Sequence, residues 1–214
     1  MLVMLLTAGA GAANVLSLTA LGGVPASIMT ANLVLAGVSI TRHEGTLGWH
    51  AGVALVAFSL GVVLTSWLVH TQDKNLPVWP RPVTLVIAAE ALPLAGLAIG
   101  WGLADGRLAG VEQLAWCGVI ALAMGIQSMA VRALGVAGMS STFFTGTLTD
   151  ALRALAGPAP HRWTRGATGV LALLAGAAAQ GAVLDYGQRF APLLPLALIC
   201  CVAALSTRGF SREG

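Results

Sequence analysis

Charge is the scarcest property of this chain. Of 214 residues only 9% are charged, against about 25% in an ordinary soluble domain. None occurs before Arg42, and the longest polar segment, Val69 to Arg81, reads as a connector, too short for a soluble domain. The net charge is only +3, with basic residues scattered between apolar runs. They read as topology signals and not as a nucleic-acid footprint. Cysteine is rare as well: Cys117, Cys200 and Cys201 all lie inside apolar runs. There they read as small apolar residues, and neither a disulfide nor redox or metal chemistry is expected. HExxH, GxSxG and P-loop patterns are missing, and His43, His50, His70 and His161 fall in loops or at helix ends. No catalytic residue, metal or cofactor is expected, and the chain does not read as an enzyme.

What is present is apolar: 57% of the residues are hydrophobic, and the mean hydropathy is +0.86. This is the composition of an integral membrane protein lying almost wholly in the bilayer. Ala8-Gly9-Ala10 resembles a cleavage site, but a secretory signal opens with basic residues, so the segment reads as a retained first helix.

Membrane-crossing helices need about 20 apolar residues. Leu2 to Leu21 satisfies this; Gly22-Gly23 and Pro25 then break the chain, and Ala26 to Ile40 makes a shorter helix. Arg42 to Gly45 is a loop. Leu47 to Val69 spans, with Trp49 and Trp67 as an aromatic belt. Val83 to Leu103 spans after Pro82, and its Gly96-x-x-x-Gly100 face suits close helix packing. Val111 to Val131 spans, Ala137 to Leu155 is a second short helix, and Gly157 to Arg165 is a loop. Gly166 to Leu184 and Ala191 to Leu205 complete the set.

The chain also repeats itself. Gly11 matches Gly125, Asn14 matches Ser128, Ala20-Leu21-Gly22 matches Ala133-Leu134-Gly135, and Thr30-Ala31-Asn32-Leu33 matches Thr145-Gly146-Thr147-Leu148. The offset is 114 at the glycine and 115 at the threonine, just over half the chain. Two related halves follow, residues 1–104 and 111–207, within one membrane domain. The fold expected is all-α and polytopic. Two arrangements compete: inverted halves of three spans with two short re-entrant helices, or parallel halves of four spans. In the six-span arrangement Lys74, Arg81, Arg153, Arg162, Arg165, Arg208 and Arg212 share the N-terminal side, opposite Arg42, Arg107 and Arg189. That is the sharper bias, and it puts the N-terminus in the cytoplasm.

Intramembrane polar residues are candidates for function, because an unpaired polar group in hydrocarbon is expensive. They are Asn14, Thr30, Asn32, Glu90, Gln127, Ser128, Thr142, Thr145, Thr147 and Gln180. Serine and threonine can bond back to their own helix, and Gln180, among alanines, reads as glue between helices. The others define a substrate site. Glu90 lies roughly 10 Å deep at helical rise, where it must be protonated, paired or facing water. Proton coupling and a structural carboxylate that caps a broken helix are both open. Helices that start inside the membrane aim N–H groups at a ligand, as in many secondary transporters. Close packing through Gly and Thr is the plainer alternative. The site reading places Thr30, Asn32, Thr145 and Thr147 together near the midplane.

Met124-Gly125-Ile126-Gln127 and Thr142-Phe143-Phe144-Thr145-Gly146-Thr147-Leu148-Thr149, with the first-half repeat and Glu90, resemble the YoaK family of bacterial membrane proteins. The resemblance implies about six spans, a bacterial location and no known activity. Asn14 stands where that family's pattern has Asp, Ala31 where it has Gly, and Ser128 where it has Asn. The expected function is a small-solute transporter or channel of the inner membrane, taking a small polar or anionic solute, with lipid as the other partner. A non-transporting scaffold or accessory protein is the alternative. Substrate, coupling ion and oligomeric state are not encoded legibly.

Overall fold

In hydrocarbon a backbone N–H or C=O has no water to bond, so long apolar runs close their hydrogen bonds internally as helices. The computed structural model describes residues 1–69, 79–135, 144–155 and 160–210. These form α1 (Leu2–Ala20), α2 (Met29–Arg42), α3 (Gly45–Leu68), α4 (Arg81–Leu103), α5 (Gly110–Ala133), α6 (Phe144–Leu155), α7 (Pro160–Gly187) and α8 (Leu193–Phe210). A single 3-10 turn, Gln188–Phe190, joins the last two. No strand occurs among the described residues. Helices α1, α3, α4 and α5 and the stretch Gly166–Phe190 are long and apolar enough to cross a membrane, and α8 contributes a shorter apolar stretch, Leu193–Thr207. The 14 and 12 residues of α2 and α6 reach only about 21 and 18 Å, short of a hydrocarbon core of ~30 Å.

Polarity is distributed as a membrane demands. Leu85, Leu92 and Ile99 run down the exposed side of α4, while Asn14, Asn32, Glu90, Gln127 and Gln180 are buried. Trp49 and Trp67 are exposed near the ends of α3, as an aromatic belt requires. Two local expectations change. The segment Gly157 to Arg165 is not all loop, because α7 starts at Pro160, whose fixed φ suits a first helical turn. The Gly96–Gly100 face of α4 receives no helix backbone. The indole of Trp116 on α5 fills it, packing directly against Gly100.

Four helices, α1, α5, α4 and α8, close a ring in which each packs on the next. Two long-range hydrogen bonds set the direction of α1 against α5. Gln113 Nε2 donates to the Ala20 carbonyl (3.0 Å), and Gln127 Nε2 donates to the Leu6 carbonyl (3.0 Å). The end of α1 therefore meets the start of α5, and the two run antiparallel. Across the ring, Trp101 Nε1 at the end of α4 donates to the Gln188 carbonyl before α8 (2.8 Å). The turn after α4 and the turn after α7 thus share one face. Parallel halves of four spans would place each of these bonded pairs on opposite faces, so these bonds do not fit that arrangement.

Outside the ring, α3 lies on α5 and α7 on α1; α2 then lies on α3 and α6 on α7. Each of these packed pairs turns into another packed pair when every helix is replaced by its counterpart four helices on or back. The tightest crossings correspond too. A Cβ on Gly11 would strike the Leu173 carbonyl, and one on Gly125 the Phe58 carbonyl; Gly176 faces the Ala8 carbonyl and Gly61 the Leu122 carbonyl. Only glycine permits backbones this close.

Gly125→Leu should therefore force α3 from α5 and destabilise the protein by about 2 kcal/mol or more, read as an earlier unfolding transition in detergent. Gly52→Leu, where a side chain meets nothing within 4 Å, should leave the transition in place. For topology, single cysteines replacing Glu44 and Tyr186, in a chain lacking the native three, should react with an impermeant thiol reagent from the same face. One replacing Arg132 should react only from the other. Labelling of Glu44→Cys and Tyr186→Cys from opposite faces would count against the inverted arrangement.

Candidate functional site

The break after α1 generates the first polar cluster. Gly22 and Gly23 take φ of +103° and +77°, a region L side chains avoid, and the chain turns back into the protein. Leu21, Val24, Pro25, Ala26 and Ser27 are buried, so their backbone groups need partners. Asn14 supplies both ends of its amide. Its Oδ1 accepts from the Ser27 N–H (2.9 Å) and its Nδ2 donates to Ser27 Oγ (2.8 Å). Ser17 Oγ donates to the Val24 carbonyl (2.7 Å), and Asn32 Nδ2 to the Pro25 carbonyl (2.9 Å). Asn14 lies six residues before the end of α1, so the break descends roughly 9 Å along α1 before α2 begins. The ring of His50 covers Gly22 so closely that a Cβ there would overlap it. His50 is near the start of α3 and buried. Its place against Gly22 puts the end of α1 and the start of α3 on one face, so α2 enters and leaves without crossing.

The second cluster lies in the ring. Glu90 is central in the buried stripe of α4, Val83, Ile87, Glu90, Leu94, Leu97 and Trp101, and is fully buried. Gln127 faces α1 from α5 through its bond to Leu6. Both Glu90 oxygens and Gln127 Oε1 have no hydrogen-bond partner. Pro93 lies within α4, one turn after Ala89, and has no N–H to give the Ala89 carbonyl. Gln180 does act between segments, its Nε2 donating to the Ala191 carbonyl (2.9 Å).

The remaining candidates separate. Ser128 and Thr147 are buried, each already engaged within the protein. Thr30 and Thr145 are exposed, so they do not line an interior. Since α2 packs on α3 and α6 on α7, the two threonine motifs do not meet as a packed helix pair. Thr142 lies outside the described residues. Sequence reasoning missed Ser17, Ser27, Gln113 and Pro93. For the first two the available signal was a buried break whose backbone needed partners. Gln113, near the start of α5, carried no such signal, yet it sets helix direction. No group of three or more His, Cys, Asp or Glu among the described residues could hold a metal ion.

The fold and these clusters define an all-α polytopic membrane protein with a buried break after its first helix and a buried acidic side chain. The chain belongs to the family described as "Protein of unknown function (DUF1275)", which matches residues 2–206. It is 35% identical over 156 residues to the "UPF0700 transmembrane protein YoaK" of Bacillus subtilis (strain 168), covering 73% of this chain and 67% of that protein. No solved structure matches it.

The pair of hydrogen bonds between Asn14 and Ser27 bears on the family pattern, since a carboxylate could accept from both the Ser27 N–H and its hydroxyl. Asn14→Asp should melt close to the unsubstituted protein. Asn14→Leu should lose about 1–3 kcal/mol for the buried N–H left unpaired, measured by thermal unfolding in one detergent.

Proposed function

We propose that this protein moves a small polar solute across the bacterial cytoplasmic membrane, with its site where two related, inverted halves meet. The observation that carries this reading is the group of unpartnered polar atoms of Glu90 and Gln127, buried inside the ring that both halves build. A membrane protein with only a packing task has no use for such atoms, whose burial is costly. The corresponding helix pairs and glycine crossings support the reading of two related halves, as in transporters built from inverted repeats with sites near the midplane. The bias of basic residues toward the N-terminal side supports a cytoplasmic N-terminus.

A second reading, a non-transporting scaffold or accessory protein, is favoured by a different observation. Asn14 and Asn32 hold the break in place, and the glycine crossings are tight. Water access separates the two. A carrier or channel must open its interior, so Ser128→Cys, buried on α5 beside Gln127, should react with a small water-soluble thiol reagent in a membrane. Tyr186→Cys serves as the exposed standard. A folded Ser128→Cys protein that stays unreactive while Tyr186→Cys is modified would favour the scaffold.

A further inference from the structure

The buried polar atoms without a partner, among the described residues, are Asn32 Oδ1, His50 Nε2, Glu90 Oε1 and Oε2, Gln127 Oε1 and Gln180 Oε1. Five are oxygens that accept hydrogen bonds. The sixth belongs to His50, whose Nδ1 lies 2.8 Å from the Thr46 carbonyl and therefore carries a hydrogen, since a carbonyl has no proton to give. Gln127 is fixed in the same way, since a flipped amide would point its oxygen at the Leu6 carbonyl. Among the described residues the unpartnered buried oxygens are thus carboxyl and amide oxygens, a set that suits a cation better than the anionic solute expected from helix ends.

Glu90 and Gln127 lie within about one helical turn of each other along the ring. Helices α4 and α5 are joined by the short turn 104–109. Equal counts back from Leu103 and forward from Gly110 bring Glu90 level with Ala123, one turn from Gln127. Equal counts from the Trp101–Gln188 bond bring Glu90 level with Ile199 on α8. The side chain of Ile199 lies 3.9 Å from the Cβ position of Gly9 on α1, one turn from Leu6, the acceptor of Gln127. Two routes through the ring, by way of α5 and by way of α8 and α1, thus agree in placing Gln127 about one helical turn from the level of Glu90. At the repeat offsets Glu90 corresponds to Leu205 and Gln127 to Ala13, so this pair occurs once.

We propose that Glu90 and Gln127 together hold one exchangeable monovalent cation, a proton or a sodium ion, inside the ring. The Glu90 oxygens supply the charge and Gln127 Oε1 the third ligand atom or hydrogen-bond acceptor. The Ala89 carbonyl, deprived of its helical donor by Pro93, lies one residue away. The inference deepens the transport reading, since it names the ion that site would take. On the elements packed against α4, the other titratable or charged groups are Glu112, Cys117 and Arg132 on α5, His50 on α3, Cys200 and Cys201 on α8, with Arg208 at its end, and Arg189 in the 3-10 turn. Cys117 and His50 are buried, and among the described residues no ion pair reaches Glu90; the Arg189 guanidinium is beside Asp105 (3.9 Å).

A hydrophobic carbodiimide tests this on the full chain in lipid nanodiscs. The acid proton passes to a carbodiimide nitrogen as the carboxyl oxygen adds to the central carbon, so only the protonated acid reacts. Peptide mass spectrometry should find the adduct on Glu90, absent from Glu90→Gln and present on Glu90→Asp. Sodium chloride that slows the reaction, against choline chloride at equal ionic strength, identifies sodium as the occupant. A rate that falls with rising pH and ignores sodium identifies the proton. Gln127→Leu should shift whichever dependence is seen, while tryptophan fluorescence reports an intact fold. Failure of Glu90 to react in folded protein across the pH range, or a rate indifferent to both pH and sodium, would overturn the proposal. The assay reads no flux. A reactive, ion-sensitive Glu90 in a protein with an unreactive Ser128→Cys keeps the cation site and removes the carrier reading; the reverse pattern removes only the cation.

Discussion

The lack of water in hydrocarbon governs this structure, and the bond between Asn14 and Ser27 is where that constraint is met most visibly. A chain that stops being helical inside a bilayer exposes backbone groups that nothing outside can satisfy. Here the break after α1 is buried, and three side chains on its two flanking helices take over: Asn14, Ser17 and Asn32. Because Ser27 is drawn down beside Asn14, α2 starts at depth and returns to the face it left. That non-crossing segment reverses every later helix relative to a chain of simple crossings. The antiparallel course of α1 against α5 depends on it.

Once α1 and α5 oppose each other, the remaining packing is repetitive. Helices α3 and α7 approach the ring at glycines, where carbonyl oxygens occupy the space a Cβ would need. Dispersion gained at such short separation stands in for a hydrophobic driving force, which lipid tails do not provide between helices. Tryptophan takes the other role of small-residue faces: Trp116 fills the Gly96–Gly100 surface and Trp101 ties two turns together through its indole N–H. Indoles near helix ends differ in use, since Trp101 is buried and Trp67 exposed.

The polar groups divide into those that complete the backbone and those that do not. Asn14, Asn32, Gln113 and Gln180 each give a hydrogen to a serine hydroxyl or a carbonyl, and Asn14 satisfies both ends of its amide. Glu90 accepts nothing and is enclosed. Its burial inside the ring of α1, α4, α5 and α8 makes it the residue for which a purely structural account falls short.

Composition and periodicity alone determined that the chain lies in a membrane, that it is helical, and where most helices fall, because helix length and apolarity in a bilayer are set by thickness and by backbone satisfaction. The Gly22-Gly23 break and the burial of Glu90 were legible for the same local reason. Helix direction was not. It rests on Gln113 meeting Ala20 and Trp101 meeting Gln188, contacts between residues far apart in sequence whose local surroundings look ordinary. Nor could the sequence say that Asn14 completes a loop while Glu90 has no partner, since both are polar residues in apolar runs. Only the tertiary structure decided that, by placing a donor within reach of one and none within reach of the other.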